Sequence, residues 1–295
     1  MNRKERLKQY FTENTAFIFS VPAIMWQTLF LYVPLLIVIY MSLKVAYTSR
    51  WYELTFSHYQ ALIQYNYIKI IARSVFVATS VALVCLFCAY PVAYYLALKV
   101  SRRWKNFLLF LLTLPFWTNF LIQVYSWVFV LDHNGLINII LLKLGVIKEP
   151  LHMVNNMWAI FLVMVHYYLP FMIMALYSIL EKIQRDLLEA SMDLGAGHWQ
   201  TFKNVTLPLS LSGIKTGILL VFVPAFGEFV VPSLIGGSKQ MFVGSLVTHY
   251  FLVARDEQLG AAFTLISGCV LIMCALFFNW LCTLPFQKKS KERVS

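Results

Sequence analysis

MWAIFLVMVHYYLPFMIMALYSIL runs from Met157 to Leu180 without one Asp, Glu, Lys or Arg. As a helix rising about 1.5 Å per residue it crosses the roughly 30 Å hydrocarbon core of a bilayer. Runs of the same kind recur at about 16–43, 70–98, 107–131, 212–235 and 261–284, so the sequence predicts six transmembrane helices in an all-α polytopic membrane protein. The segments between them are short, which makes residues 1–295 a single transmembrane domain with no room for a catalytic module.

Composition agrees: 60% of residues are hydrophobic and 13% charged, with a mean hydropathy of +0.71. A water-soluble globule of this length is excluded. Orientation follows from the basic residues, which collect on the cytoplasmic side of membrane proteins. Arg3, Lys4, Arg6 and Lys8, then Lys99, Arg102, Arg103 and Lys105, then Lys182, Arg185 and Lys203, and finally Lys288, Lys289, Lys291 and Arg293 mark one side. The other side holds Lys44, Arg50, Lys69, Arg73, Lys143, Lys148, Lys239 and Arg255. Both termini are therefore expected in the cytoplasm, and the +11 net charge reflects topology rather than a nucleic-acid surface. The first run is too long for a signal peptide and reads as an uncleaved span.

Enzyme machinery is missing from the pattern. Cys85 and Cys88 form a CxxC inside an apolar run without a second ligand pair, and read as small buried hydrophobes. SGIKTG (212–217) resembles a phosphate loop only superficially, because the Gly-Lys-Ser/Thr order is absent. The six histidines are dispersed, and His166 reads as a hydrogen-bonding partner for a neighbouring helix rather than a proton relay. No metal or cofactor is expected.

Immediately after Leu180 the character changes to EKIQRDLLEASMDLGAGHWQTFKNVTLP (181–208). Ile183, Leu187, Ala190 and Leu194 fall at helical spacing, Gly195 and Gly197 interrupt, and Trp199, Phe202 and Val205 resume on one side before Pro208. The expectation is two short helices about a glycine bend, lined by small residues, on the cytoplasmic face. Three readings compete: a DNA-binding helix-turn-helix, a connector resting on lipid headgroups, and a bend that docks in a groove of a partner protein. Too few basic residues argue against the first, and Glu189 and Asp193 sit poorly on an anionic membrane surface.

Glu189-Ala190-Ser191, three residues, Gly195, nine residues, Val205, one residue and Leu207-Pro208 resemble the EAA loop of the permease subunits of bacterial ABC importers. Ser191 and Val205 replace the usual alanine and isoleucine. LPFWTNFLIQVYSW (114–127), LPFMIMALYSILEKI (169–183) and GEFVVPSLIGG (227–237) are similar to permeases of spermidine/putrescine importers. The resemblance implies a type I ABC importer permease fold in the bacterial cytoplasmic membrane. It also implies a coupling loop over 189–208, with Glu189, Ala190, Ser191, Asp193, Gly195, Leu207 and Pro208 meeting the ATPase. The partners implied are a cytoplasmic ATPase dimer, a second permease subunit, an extracytoplasmic substrate-binding protein and a polyamine. Thiamine, iron and amino acids are the alternative solutes, and a membrane-embedded enzyme or a channel the alternative classes.

Glu228 is the acidic residue deep in an apolar run, among Pro224, Gly227 and Pro232. A carboxylate in hydrocarbon costs about 2.5–3.5 kcal/mol, so it should face the bundle interior and have a partner. A cationic substrate is one such partner, and aromatic rings suit it through cation–π attraction. Trp117, Tyr125, Trp127, Tyr167 and Tyr168 are the candidates, and the broken segment 224–232 is the expected site.

Overall fold

A computed structural model describes residues 20–45, 53–237 and 240–292. In chain order the helices are α1 (Ser20–Leu43), α2 (Ser57–Ala61), α3 (Tyr65–Leu98), α4 (Arg102–Thr113), α5 (Phe120–Leu131) and α6 (Leu136–Lys143). They continue with α7 (Met157–Leu180), α8 (Arg185–Asp193), α9 (His198–Phe226), α10 (Val230–Ile235), α11 (Val243–Ala254) and α12 (Glu257–Glu292). Among the described residues six stretches are long and apolar enough to cross a membrane: Ser20–Leu43, Tyr65–Leu98, Phe120–Lys143, Met157–Leu180, His198–Phe226 and Glu257–Leu281.

The described chain divides into two compact units. One combines the residues up to Ile63 with Tyr250–Ile266. Within it an isolated antiparallel bridge joins Lys44 to Leu54, and the Tyr59 hydroxyl meets Ser42 Oγ at 2.8 Å, fastening α2 to the end of α1. The other unit combines Gln64–His249 with the chain from Ser267 onward, and its centre is α3, α7 and α9 packed on one another.

Small residues make that packing close. Ala78, Ala82, Cys85, Ala89 and Ala93 recur every three or four residues along α3, and all are buried. On α9 the segment once compared with a phosphate loop does mechanical work, since Gly213 and Gly217 form a GxxxG pair against α7. A Cβ on Gly217 would lie 2.5 Å from Met172 Sδ, and one on Gly213 3.1 Å from Ile179 Cβ. With lipid as apolar as leucine, helices gain by such backbone approach rather than by hiding from water. Gly217→Leu is therefore expected to destabilise the permease by about 1–3 kcal/mol or more through overpacking, read as a lower Tm in detergent, while Leu220→Ala on the exposed face stays close to the parent.

Two spans differ from the sequence expectation. The run at 107–131 is not one helix: α4 ends at Thr113, Leu114–Trp117 forms a 3-10 turn, and α5 begins after Asn119. Pro115 lacks the N–H that would continue the ladder, Gln123 Nε2 donates to its carbonyl, and Asn119 Oδ1 accepts from Leu121 N at 2.8 Å. The third membrane-crossing stretch is accordingly Phe120–Lys143, counted through the turn at 132–135. Buried Asn138 holds that turn, donating to the carbonyls of Asp132, His133 and Leu151 and accepting from Leu151 N.

The second correction concerns the fifth span, expected at 212–235. Its helix starts at His198, so the second short helix foreseen after the glycine bend is the first part of α9 itself. Pro208 does not stop it, because residues Phe202–Thr206 adopt π-helical geometry just before and relieve the clash of the proline ring with the preceding turn. At the other end α9 stops at Phe226, and the chain re-enters a helix at Val230.

Candidate functional site

The break at Gly227-Glu228-Phe229 frees backbone donors that hydrocarbon cannot satisfy. The Glu228 carboxylate takes them: Oε1 accepts from Phe229 N at 3.0 Å and Val230 N at 2.9 Å. Its other oxygen, Oε2, accepts from the hydroxyl of Tyr168, a buried residue of α7, at 2.9 Å. Gly244 of α11 lies so close that a Cβ there would meet the Gly227 carbonyl, which leaves glycine as the residue that fits.

Glu228 lines a groove of about 680 Å³ between α9 on one side and α5 and α7 on the other. Thr216, Leu219, Leu220, Val223 and Pro224 form the α9 wall, and Phe120, Tyr167, Tyr168 and Phe171 the aromatic wall. The rings are in contact, Phe120 with Tyr167 at 4.5 Å between centroids and Tyr167 with Tyr168 at 5.1 Å. Glu228 is the only carboxylate among the lining residues, and among the described residues no Lys, Arg or His forms an ion pair with it. The arrangement offers a carboxylate oxygen and π faces to a cation.

Glu228, Tyr167 and Tyr168 thus come together, whereas Trp117 and Tyr125 do not line the groove. Trp117 is 81% exposed and packs on Phe110, and Tyr125 is half exposed. Trp127 donates through Nε1 to His166 Nδ1 at 3.2 Å, which gives His166 its partner on a neighbouring helix. Phe120 and Phe171 escaped the sequence reading because a phenylalanine in an apolar run carries no polar signature. The one available signal was spacing, which puts Phe171 one helical turn beyond Tyr167.

The second feature is the bend between α8 and α9. Gly195 has φ +86°, Gly195 N–H bonds to the Met192 carbonyl and Ala196 N–H to the Ser191 carbonyl, the two bonds of a Schellman ending. Ser191 Oγ lies 3.2 Å from Thr201 Oγ1, tying the two helices, and Gln200 Oε1 accepts from Gly197 N. Glu189, Ala190 and Asp193 are exposed, while Leu207 and Pro208 are part-buried at the start of the fifth span's core. Leu187 and Leu194 form no internal core: Leu194 is 90% exposed, as is much of Trp199 where it stacks on Phe202. Among the described residues, nothing beyond its own chain neighbours lies within 4 Å of a Cβ placed on Gly195, so its surroundings there are open.

The bend is fastened to the helices behind it. Arg185, first residue of α8, donates to the Leu98 carbonyl at the end of α3, and Lys105 of α4 bonds both the Ala97 carbonyl and Glu181, the latter at 3.3 Å. The Tyr177 hydroxyl, with Lys105 and Arg102 beside it, holds the Glu181 carboxyl below its ordinary range.

Long apolar helices packed through small residues, a broken helix carrying a carboxylate at an aromatic groove, and a polar glycine bend outside the spans define a helical membrane transport component. The chain belongs to the family of binding-protein-dependent transport system inner membrane components, whose pattern matches residues 89–289. It is 36% identical over 265 residues to the spermidine/putrescine transport system permease protein PotB of Haemophilus influenzae, covering 89% of this chain and 90% of that one. To PotB of Escherichia coli K12 it is 38% identical over 254 residues, 84% of this chain and 92% of the relative. The inner membrane ABC transporter permease protein YdcU of the same organism is 32% identical over 238 residues, 76% and 74% of the two chains. Among solved structures, a bacterial ABC transporter involved in alginate import shares the fold with a TM-score of 0.73 at 17% identity, covering 94% of this chain and 98% of that one. The chain is a multi-pass ABC importer permease, a transporter component and not an enzyme.

Proposed function

We propose that this permease carries polyamines inward across the bacterial cytoplasmic membrane, driven by ATP hydrolysed on separate subunits. The observation that carries the reading is the Glu228 carboxylate at an aromatic groove, with no cation paired to it among the described residues. The relatives named for spermidine and putrescine transport support the same substrate class. Glu228, Tyr167 and Tyr168 form this chain's contribution to the path; Trp117 and Tyr125 belong outside it.

The loop over 189–208, with Glu189, Ala190, Ser191, Asp193, Gly195, Leu207 and Pro208, docks on one member of a cytoplasmic ATPase dimer. Open space at Gly195 and the exposed Leu194 and Trp199 support this. Both termini lie on that same side. Closure of the ATPases moves α8, and Arg185 and Lys105 pass the motion to the ends of α3 and α7, switching access to the groove. A second permease subunit covers the groove, and an extracytoplasmic binding protein delivers the substrate. The test is competition uptake by the full importer in cells, with spermidine, putrescine, amino acids and thiamine as competitors. Displacement of labelled putrescine by unlabelled putrescine and spermidine, and not by thiamine or amino acids, is expected; displacement by thiamine or amino acids instead overturns the substrate class.

A further inference from the structure

We propose that the end of the bundle beside the bend holds the phosphate group of an anionic lipid, clamped between Arg102 of α4 and Arg185 of α8. Arg102, Lys105 and Asn106 meet Glu181 and Arg185 around a cavity of about 480 Å³. That size lies within the roughly 300–1,000 Å³ of small-ligand sites. Its basic residues come from two segments far apart in sequence, so the fold gathers them, whereas charges that only mark one side of a membrane stay scattered.

Lys105 is already committed, its Nζ donating to the Ala97 carbonyl at 3.1 Å and to Glu181 at 3.3 Å. The Tyr177 hydroxyl also donates to that carboxylate, so Glu181 is answered within the protein. Arg185 gives one N–H to the Leu98 carbonyl at 3.3 Å and keeps its other donors. Among the described residues Arg102 makes no hydrogen bond and no ion pair, which leaves its whole fork available. Three positive side chains facing one carboxylate leave the cavity positive, and that excess calls for an anion. A guanidinium pairs with phosphate oxygens through two parallel N–H bonds, and two such forks beside the Asn106 amide suit the several acceptors of a phosphate.

The level of the cavity points to a lipid as the source. It is lined by Leu98, the last residue of the α3 span, and by Glu181, the residue after the α7 span ends at Leu180. From Arg102 and Lys105 the chain passes directly into the apolar run FLLFLL (107–112). Headgroups lie at this boundary, and a basic pocket between helices there takes an anionic one. A choline headgroup brings its own cation, which the excess positive charge repels. The bound phosphate bridges the starts of α4 and α8 and braces the junction where α8 is fastened to α3.

The experiment follows the Tm of the purified complex of both permeases and the ATPases in neutral detergent at low salt. It is titrated with dihexanoylphosphatidylglycerol, with the matching phosphatidylcholine and with inorganic phosphate. Phosphatidylglycerol is expected to raise the Tm at about tenfold or more lower concentration than either of the others. Arg102→Gln should raise the concentration needed by about tenfold. Arg103→Gln removes the same charge from a residue outside the cavity, about 100° round the helix, and should shift it several-fold less. Arg102→Lys, which keeps the charge without the fork, should fall between them. The Tm without ligand reports that each variant folds. Equal shifts for Arg102→Gln and Arg103→Gln overturn the proposal, as do equal responses of the parent to the two lipids. Inorganic phosphate matching phosphatidylglycerol overturns the lipid source. Loss of the ATPase from Arg102→Gln, with no lipid response in the parent, gives this surface to the ATPase and overturns the lipid site.

Discussion

Glu228→Gln is expected to lower uptake of putrescine and spermidine by about thirtyfold or more while the importer still assembles. Losing the charge removes roughly 2 kcal/mol or more of charge-assisted pairing with a cation. The amide leaves the fold alone, since its oxygen can still accept from Phe229 N and Val230 N and its NH₂ can donate to the Tyr168 oxygen. Glu228→Ala is a poorer probe, because it strands the two backbone donors at the helix break and confounds structure with transport. Labelled uptake alongside ATPase co-purification separates the effects. Unchanged uptake in a fully assembled Glu228→Gln importer would retire Glu228 as a substrate contact and leave it as the cap of α10.

At the bend, Gly195→Trp is expected to abolish coupling, with uptake falling to background and the ATPase lost from the membrane complex or hydrolysing without transport. Gly195→Ala makes the contrast informative. Alanine at φ +86° suffers backbone strain of about 1–2 kcal/mol but meets no neighbour, so a bend that merely connects two spans treats both substitutions alike. A docking surface does not, because the indole fills the space a partner needs. Near-normal uptake with Gly195→Ala and none with Gly195→Trp supports docking; equal, mild losses argue for a connector.

Much of the site was legible because local chemistry announces it. Gly195 followed by Gly197 within an amphipathic pattern signals a left-handed helix ending, and the Schellman bonds follow from it. Glu228 among Pro224, Gly227 and Pro232 signals a broken span, and the break lies at residues 227–229. What misled was continuity. LPFW reads as apolar and hence as part of a span, yet the missing N–H of Pro115 and the cap at Asn119 divide it. Pro208 reads as a boundary, yet the π-helical turn before it lets the helix pass.

Composition and spacing determined that this chain lives in a bilayer, how often it can cross, and that it bends at a glycine outside the spans. These are properties of single segments: hydropathy is additive along a helix, and a turn's φ requirement belongs to one residue. Only the tertiary structure decided that Gly213 and Gly217 are a packing seam on Met172 and Ile179, and that Phe120 and Phe171 wall the groove where Trp117 and Tyr125 do not. It alone joined Tyr168 to Glu228, 60 residues apart. Inside a membrane nearly every face of a helix is apolar, so periodicity cannot say which face meets which neighbour; that choice is made by the fit of small residues between helices and by the few polar groups that must find one another.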